Sequence, residues 1–239
     1  MTIGYPRFNP ALPVAATRLD DVTRFVPELG LVVQPTRKGL YRSVFKRALD
    51  LTAIVIAAPI IVPIVAALAF AVSRDGGKAF YTQQRVGKDG RAFRMWKLRS
   101  MVSDADAKLE QHLQENSAAR QEWDETQKLQ QDPRITPLGR LLRRSSLDEL
   151  PQLWNVFRGD MSLVGPRPMI LSQRGLYPGT AYFALRPGIT GYWQTVGRSR
   201  TTFAARAEYD AAYEAELSFW SDARMLAKTV KVVINCTGC

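Results

Sequence analysis

Histidine and cysteine, the side chains that bind most structural metals, are scarce in this sequence. Of 239 residues, His112 is the single histidine, and the two cysteines, Cys236 and Cys239, stand at the C-terminal end. A structural zinc site takes about four such ligands, and a disulfide framework takes several paired cysteines. The scarcity argues against both kinds of fold, and we interpret the cysteine pair as a tail without assigned chemistry.

Acidic residues are missing from a long segment, Met161 to Ala207, that is also rich in glycine and proline. Its arginines are Arg167, Arg174, Arg186, Arg198, Arg200 and Arg206. Cations without competing carboxylates, on a backbone that can approach a ligand closely, suit a diphosphate-binding wall. The alternative is a basic surface that faces anionic lipid, and the segment is compatible with both.

The overall composition restricts the kind of partner. Hydrophobic residues make up 46% and charged residues 23%, which is typical of a folded chain, and the formal net charge is +11. We expect one domain with an anionic partner: nucleic acid, an acidic membrane or a phosphorylated substrate. Because no DNA- or RNA-binding motif is apparent, nucleic acid is not expected.

Charge is also missing from Leu51 to Val72, a run long enough to cross a bilayer as a helix. Pro59 and Pro63 lie in its middle and would bend such a helix. The basic flanks are Arg37, Lys38, Arg42, Lys46 and Arg47 before the run, and Arg74, Lys78 and Arg85 after it. Because basic flanks favour the cytoplasm, we expect a re-entrant helix that breaks at the prolines and leaves on the side it entered. The alternative is an ordinary straight span.

The chain divides into four parts by composition. Residues 1–36 carry prolines without periodicity, which indicates an extended or disordered lead-in. Residues 37–78 hold the basic segment and the membrane hairpin. Residues 79–235 are expected to form a cytoplasmic domain at the membrane surface, and residues 236–239 are the tail.

Local patterns predict several elements of that domain. Phe80 to Met101 contains a Lys-Asp-Gly turn between two partly alternating runs, which predicts a β-hairpin. The polar stretch Ser103 to Gln131 predicts an amphipathic helical excursion. Thr136 followed by Pro137 predicts the start of a helix. Glu208 to Asn235 predicts two helices, the last of which either lies in the membrane interface or packs on the core.

The stretch from Arg143 to Pro168 has the residues best suited to phosphate chemistry. It contains the acidic pair Asp148 and Glu149 just after two arginines. One carboxylate can attack phosphorus and another can hold a divalent metal, while guanidinium groups hold phosphate oxygens. Ser146 and Glu149 also match a capping box, which would place Asp148 in the first turn of a helix. A lone acidic pair is more often a solvated helix face, so the hypothesis depends on the surrounding run.

Five motifs together resemble one known family. They are Lys46–Asp50, Phe80–Gly87, Ser146–Leu153, Gly159–Pro168 and Arg186–Gly191. In this order they closely resemble the bacterial sugar transferase family, the monotopic phosphoglycosyl transferases that move a sugar 1-phosphate from a UDP-sugar to polyprenyl phosphate. The resemblance extends over residues 40–235.

The resemblance implies roles for the site residues. Asp148 would attack the β-phosphorus of the UDP-sugar and expel UMP, and Glu149 would help to bind Mg²⁺. Arg143 and Arg167 match family arginines that bind phosphate, and Arg186 is a weaker candidate for the same role.

A membrane-entry motif is implied in the same way. Lys46, Arg47 and Asp50 match it, and we expect them to meet lipid headgroups. Pro63 would mark the break of the re-entrant helix, although Val62 precedes it here where many members have serine.

The expected fold is α+β and mainly helical, a single domain with an N-terminal re-entrant membrane helix-break-helix, a small β-hairpin and interfacial amphipathic helices. The expected location is the cytoplasmic face of the bacterial inner membrane. The partners implied are a UDP-sugar, undecaprenyl phosphate and anionic membrane lipid, and a homo-oligomer is also compatible with the sequence. The sugar is expected to be a hexose, galactose or glucose, for exopolysaccharide or related glycan synthesis. The alternative is a non-catalytic, membrane-tethered anion-binding or scaffold protein.

Overall fold

The computed structural model describes residues 39–126, 129–197 and 203–234. The predicted lead-in at 1–36 and tail at 236–239 lie outside these ranges, as do Arg198 and Arg200. The described part is mainly helical, with two sheets of two strands each. This confirms the mainly helical α+β class.

The apolar run forms a single long helix. A π-helical turn, Tyr41–Phe45, leads into α1, Lys46–Ser73, and both Pro59 and Pro63 lie inside α1. The predicted break therefore does not appear as an interruption of the helix. A proline removes one backbone hydrogen bond, but its fixed φ is itself helical, so the remaining bonds can carry the helix past it. Together with the turn, α1 is long and apolar enough to cross a membrane, and none of its most apolar window is buried in protein.

Both ends of α1 pack against the rest of the described protein. At the start, Lys46 and Asp50 are 8% and 2% exposed. At the end, Val72 packs in one cluster with Leu98 and Leu142. The exposed apolar residues of the middle are Val55, Ile56, Ile60, Val62, Ile64 and Phe70. The helix is thus fixed at its two ends, and its apolar middle is uncovered.

A β-hairpin follows, as predicted. Strands β1, Phe80–Val86, and β2, Ala92–Leu98, pair antiparallel. The turn uses left-handed backbone at Asp89 (φ 57°) and Gly90 (φ 72°), a conformation that glycine and aspartate adopt more readily than most residues.

The polar segment forms two helices, α2, Ala105–Glu115, and α3, Ser117–Thr126, which confirms the predicted helical excursion. Helix α4, Pro137–Ser145, starts as predicted: the Thr136 hydroxyl accepts a hydrogen bond from the Gly139 N–H at 2.9 Å. Local side-chain chemistry thus sets this helix start.

The second sheet joins two distant segments. After α5, Gln152–Arg158, which ends at a left-handed Gly159, strand β3, Ser162–Val164, pairs in parallel with β4, Gly188–Thr190. A Cβ atom on Gly188 would lie 2.1 Å from the Gly165 nitrogen, so the close approach of these strands requires glycine.

Three further α-helices lie in the described part: α6, Ala181–Ala184, α7, Arg206–Glu216, and α8, Phe219–Ile234. A 3₁₀ helix, Leu171–Leu176, and a π-helical turn, Trp193–Gly197, lie between β3 and α7. The division into α7 and α8 confirms the two helices predicted for Glu208 to Asn235. Tyr213 of α7 and Met225 of α8 pack with Val164 and Leu185 in one buried cluster. This cluster holds the C-terminal helices against the second sheet.

Candidate active site

The acidic pair lies in a short turn between two helices. Helix α4 ends at Ser146, which has a left-handed conformation with φ 57°. A 3₁₀ turn, Leu147–Glu149, follows, and Pro151 precedes the start of α5. The Ser146 side chain makes no capping hydrogen bond, so the predicted capping box is wrong. Ser146 terminates α4 instead, because its N–H bonds back to carbonyls of that helix.

A lysine from the hairpin lies between the two carboxylates. The Nζ atom of Lys97, on β2, is 2.7 Å from Glu149 Oε1 and 3.9 Å from Asp148 Oδ2. Asp148 is only 7% exposed. The structure therefore places this lysine at the acidic pair.

The two carboxylates have opposite pKa shifts. Burial raises the pKa of Asp148 above its usual range, the Lys97 charge opposes this, and the negative charge of Glu149 adds to it. Burial acts in the same direction on Glu149, but Lys97, Arg167 and a hydrogen bond from Gln152 outweigh it and hold the pKa of Glu149 below its usual range. The protein therefore keeps Glu149 ionised and destabilises the charge on Asp148, as expected of a reactive carboxylate.

An open cleft lies beside the pair. Its lining includes the cations Arg85, Lys97 and Arg167, and Glu149 is its one carboxylate among the described residues. The remaining lining residues are Met95, Gln152, Pro168, Gly188, Ile189 and Gln194. Such an excess of positive charge around a small cleft suits a phosphate or diphosphate group.

The three arginines predicted to bind phosphate, Arg143, Arg167 and Arg186, lie in different places. Arg167 lines the cleft. Arg143 donates from Nε to the Ser100 hydroxyl at 2.8 Å, and its charge lowers the pKa of Asp148, so it lies near the acidic pair without lining the cleft.

Arg186 lies elsewhere. Its Nε donates to the carbonyl of Gly159 at 3.0 Å, and its positive charge repels that of Arg47. Arg186 is not among the described residues of the cleft. The structure gives it a backbone contact, and its phosphate role stays a prediction.

The membrane-entry residues bind the protein itself. Lys46 Nζ is 2.6 Å from Asp222 Oδ2. Asp50 accepts hydrogen bonds from the Leu163 N–H at 3.0 Å and from the Ser162 hydroxyl at 3.1 Å. The expectation that Lys46 and Asp50 meet lipid headgroups is wrong, because both are buried and paired.

Arg47 has a similar anchoring contact. It donates to the carbonyls of Val156 and Phe157, the latter at 2.7 Å, near the C-terminal end of α5. Cations at a helix C-terminus satisfy free carbonyls and oppose the helix dipole. The start of α1 is therefore tied to the helix that follows the acidic turn.

The structure places three further residues in the cleft or near Arg167. Arg85 and Gln152 line the cleft, and Arg206 lies over the Trp193 ring with Cζ 4.1 Å from its centroid. Arg85 falls within the Phe80–Gly87 motif and Arg206 within the acid-free segment. Those signals identify both residues as candidates, but only the fold shows that they approach Arg167.

The acidic pair is compatible with magnesium. No group of three or more candidate metal ligands exists among the described residues. Mg²⁺, however, is commonly held by one or two carboxylates together with substrate phosphates. Asp148 and Glu149 lie next to a cationic cleft suited to phosphate, so the donor set fits Mg²⁺ when a phosphate substrate supplies the other oxygens.

Comparison with known proteins agrees with these features. A family model described as bacterial sugar transferase matches residues 41–236. A UDP-galactose-lipid carrier transferase of Erwinia amylovora is 46% identical over 195 residues, 81% of this chain and 41% of that protein. An undecaprenyl-phosphate galactose phosphotransferase of Salmonella typhimurium is 42% identical, with 81% and 41% covered. The chain thus spans about two fifths of the length of these relatives.

A third relative matches along nearly its whole length. The exopolysaccharide production protein ExoY of Rhizobium meliloti is 39% identical over 226 residues, which cover 94% of this chain and 98% of that protein.

Proposed function

Because this chain belongs to the bacterial sugar transferase family, we propose that it moves a sugar 1-phosphate from a UDP-sugar to undecaprenyl phosphate. The observation that carries the proposal is the buried Asp148, with its raised pKa, beside a cleft lined by Arg85, Lys97 and Arg167. A reactive carboxylate next to a cationic cleft is what covalent phosphoryl transfer requires.

Asp148 acts as the nucleophile. Its carboxylate forms a bond to the β-phosphorus, the bond to the oxygen that bridges to the α-phosphate breaks, and the electron pair leaves with UMP. Lys97 and Arg167 contribute positive charge where the phosphoryl oxygens lie. The acceptor phosphate then attacks the phosphosugar, and the electron pair of the broken bond returns to Asp148.

Glu149 and Asp148 would hold Mg²⁺ together with diphosphate oxygens. When bound, the ion supplies charge neutralisation for the diphosphate and the leaving group. The Lys97 ammonium keeps Glu149 ionised, which is the form that binds a metal ion. We therefore expect activity to depend on Mg²⁺.

The transferred sugar is a hexose, and we favour galactose. Two of the similar proteins are named for galactose or UDP-galactose transfer, and another, from Komagataeibacter xylinus, for glucose transfer at 35% identity. The similarity to ExoY along 94% of this chain supports a role in the start of exopolysaccharide synthesis.

The membrane helix is re-entrant, so the site lies at the cytoplasmic face of the bacterial inner membrane. Support comes from the two ends of α1, which pack against one folded body through Lys46 and Val72. A straight span would carry its ends to opposite faces, roughly 30 Å apart. Pro59 and Pro63 allow the bend that a return to the same face needs.

Cysteine labelling tests this topology. In a variant with Cys236 and Cys239 replaced by serine, cysteines at Arg37 and Lys88 should both react only with reagents applied from the cytoplasmic side. Labelling of either position from the periplasm would show that α1 crosses the bilayer.

A direct assay tests the function. Purified protein with UDP-galactose, undecaprenyl phosphate and Mg²⁺ should release UMP, and the D148N variant should not. UDP-glucose and UDP-N-acetylgalactosamine in parallel identify the sugar. Absence of UMP with every nucleotide sugar would instead support a binding or scaffold role.

A further inference from the structure

Three arginines from three separate elements lie near one another. Arg85 and Arg167 line the cleft, and Arg167 and Arg206 both lie over the Trp193 ring, with Cζ at 5.6 and 4.1 Å from its centroid. Arg85 lies on β1, Arg167 follows β3, and Arg206 begins α7. The positive charge of Arg167 adds to burial in lowering the pKa of both Arg85 and Arg206. Arg167 therefore repels both Arg85 and Arg206 at a partly desolvated site.

Two of these guanidinium groups have unused hydrogen-bonding capacity. The Nε atoms of Arg85 and Arg206 are buried and have no hydrogen-bond partner among the described residues. Arg85 is fixed by its Nη1 bond to the Pro168 carbonyl at 3.1 Å, next to Arg167. Arg206 is fixed over the rings of Trp193 and Phe203, at 4.1 and 4.8 Å from their centroids. Buried donors held in place without an acceptor indicate a ligand that supplies one.

The nearby carboxylates balance this charge only in part. Glu149 is paired with Lys97 at 2.7 Å. Asp210 lies one turn along α7 from Arg206, but it accepts a hydrogen bond from the Tyr177 hydroxyl at 2.8 Å, and burial raises its pKa to about 7. The three arginines thus retain a net positive charge that an anion would neutralise.

The reaction itself places two anions in one position. In phosphoryl transfer the attacking and leaving oxygens lie roughly in line through phosphorus. UMP therefore departs on the side opposite Asp148, and in the second step the acceptor phosphate must attack from that same side, because Asp148 is now the leaving group. Both groups are phosphate monoesters when they occupy it.

We propose that Arg85, Arg167 and Arg206 form a single phosphate-monoester subsite that holds first the departing UMP and then the phosphate of the lipid acceptor. This proposal rests on the proposed function. UMP leaves with the electron pair of the broken P–O bond, and the acceptor oxygen donates the pair of the new one, so no proton or further reactant is needed.

The test compares two phosphate ligands in the same variants. Exchange of labelled UMP into UDP-galactose measures UMP binding without any acceptor, and steady-state kinetics give the KM for undecaprenyl phosphate. In R85Q and R206Q, the UMP concentration for half-maximal exchange and the acceptor KM should rise together, each about tenfold. R206K, which retains the charge, should show smaller rises in both.

The control is R174Q, which removes an arginine of the same acid-free segment that lies against the hairpin turn at Gly90. It should leave both values within about twofold of the wild type. A rise in one value without the other in R206Q would overturn the shared subsite, and no rise in either would remove these arginines from phosphate binding. Failure of the proposed function is distinguishable, because the wild type would then release no UMP.

Discussion

Two clusters in this protein combine buried carboxylates with lysine, and they differ in how completely their charges are satisfied. At the start of α1, Asp222 accepts from Lys46 at 2.6 Å and from the hydroxyls of Tyr41 and Tyr213 at 2.7 and 2.6 Å. At the turn Leu147–Glu149, Lys97 Nζ lies 2.7 Å from a Glu149 oxygen but 3.9 Å from an Asp148 oxygen. The charge of Asp222 is fully paired and holds elements together, whereas the second cluster opens onto a cleft with surplus positive charge.

The difference shows why residue type alone does not identify a catalytic group. A fully paired buried charge is a structural contact, and it is costly to break. A carboxylate that is buried with incomplete compensation has a raised pKa and an unmet demand for a partner, which a substrate or metal can supply. The two clusters should therefore respond differently to substitution.

The largest effect should come from opening the closed cluster. Lys46→Met leaves Asp222 buried without its cation, so the free energy of unfolding should fall by about 3–5 kcal/mol. Guanidinium unfolding of detergent-solubilised protein, followed by tryptophan fluorescence, measures this. Arg120→Met, which breaks the exposed pair with Asp124, serves as the control and should cost no more than about 0.5 kcal/mol. Equal, small losses would mean that the Lys46 pair does not hold α1 in place.

The next effect should fall on activity. Arg167→Ala removes a charge-assisted phosphate contact worth about 1.5–3 kcal/mol, so kcat/KM should fall about 10- to 150-fold. Arg174→Ala should have little effect, because Arg174 is not among the described cleft residues. Steady-state UMP release measures both. If the two variants lose similar, small amounts of activity, the basic segment contributes only general surface charge.

The smallest effect concerns pH. Asp148 must be ionised to attack, and Lys97 lowers its pKa against the larger effect of burial. Removal of that charge in Lys97→Met should raise the pKa further, so the acidic limb of the first half-reaction should move to higher pH. Lys97→Arg should keep the limb near its wild-type position. The rate of the UMP burst as a function of pH measures it, and an unmoved limb in Lys97→Met would show that Lys97 does not control the ionisation.

Features determined by nearby residues were predictable from the sequence. The hairpin turn and the Thr136 cap depend on a few adjacent residues, and both predictions were confirmed. The capping box at Ser146 failed because its pattern did not reveal that the residue adopts a left-handed conformation and ends α4.

Features determined by distant partners were not predictable. The role of Lys46 depends on Asp222, and the approach of Arg85 to Arg167 depends on how the hairpin meets the loop after β3. Without the fold, such cations resemble any other surface charge. The acidic pair was identified because it stood within a long recognisable run, although the opposite pKa shifts of Asp148 and Glu149 required burial to be known.

The central claim is that Asp148 forms a covalent phosphosugar, and intact-protein mass spectrometry tests it most directly. Protein incubated with UDP-galactose and Mg²⁺, without acceptor, should gain the mass of a hexose phosphate on the peptide that contains Asp148. D148N should gain nothing, because the amide has nearly the same shape but is a poor nucleophile, and E149Q should gain the adduct slowly and need more Mg²⁺. An adduct in D148N, or UMP that appears only when undecaprenyl phosphate is present, would contradict the covalent role and favour direct attack by the acceptor.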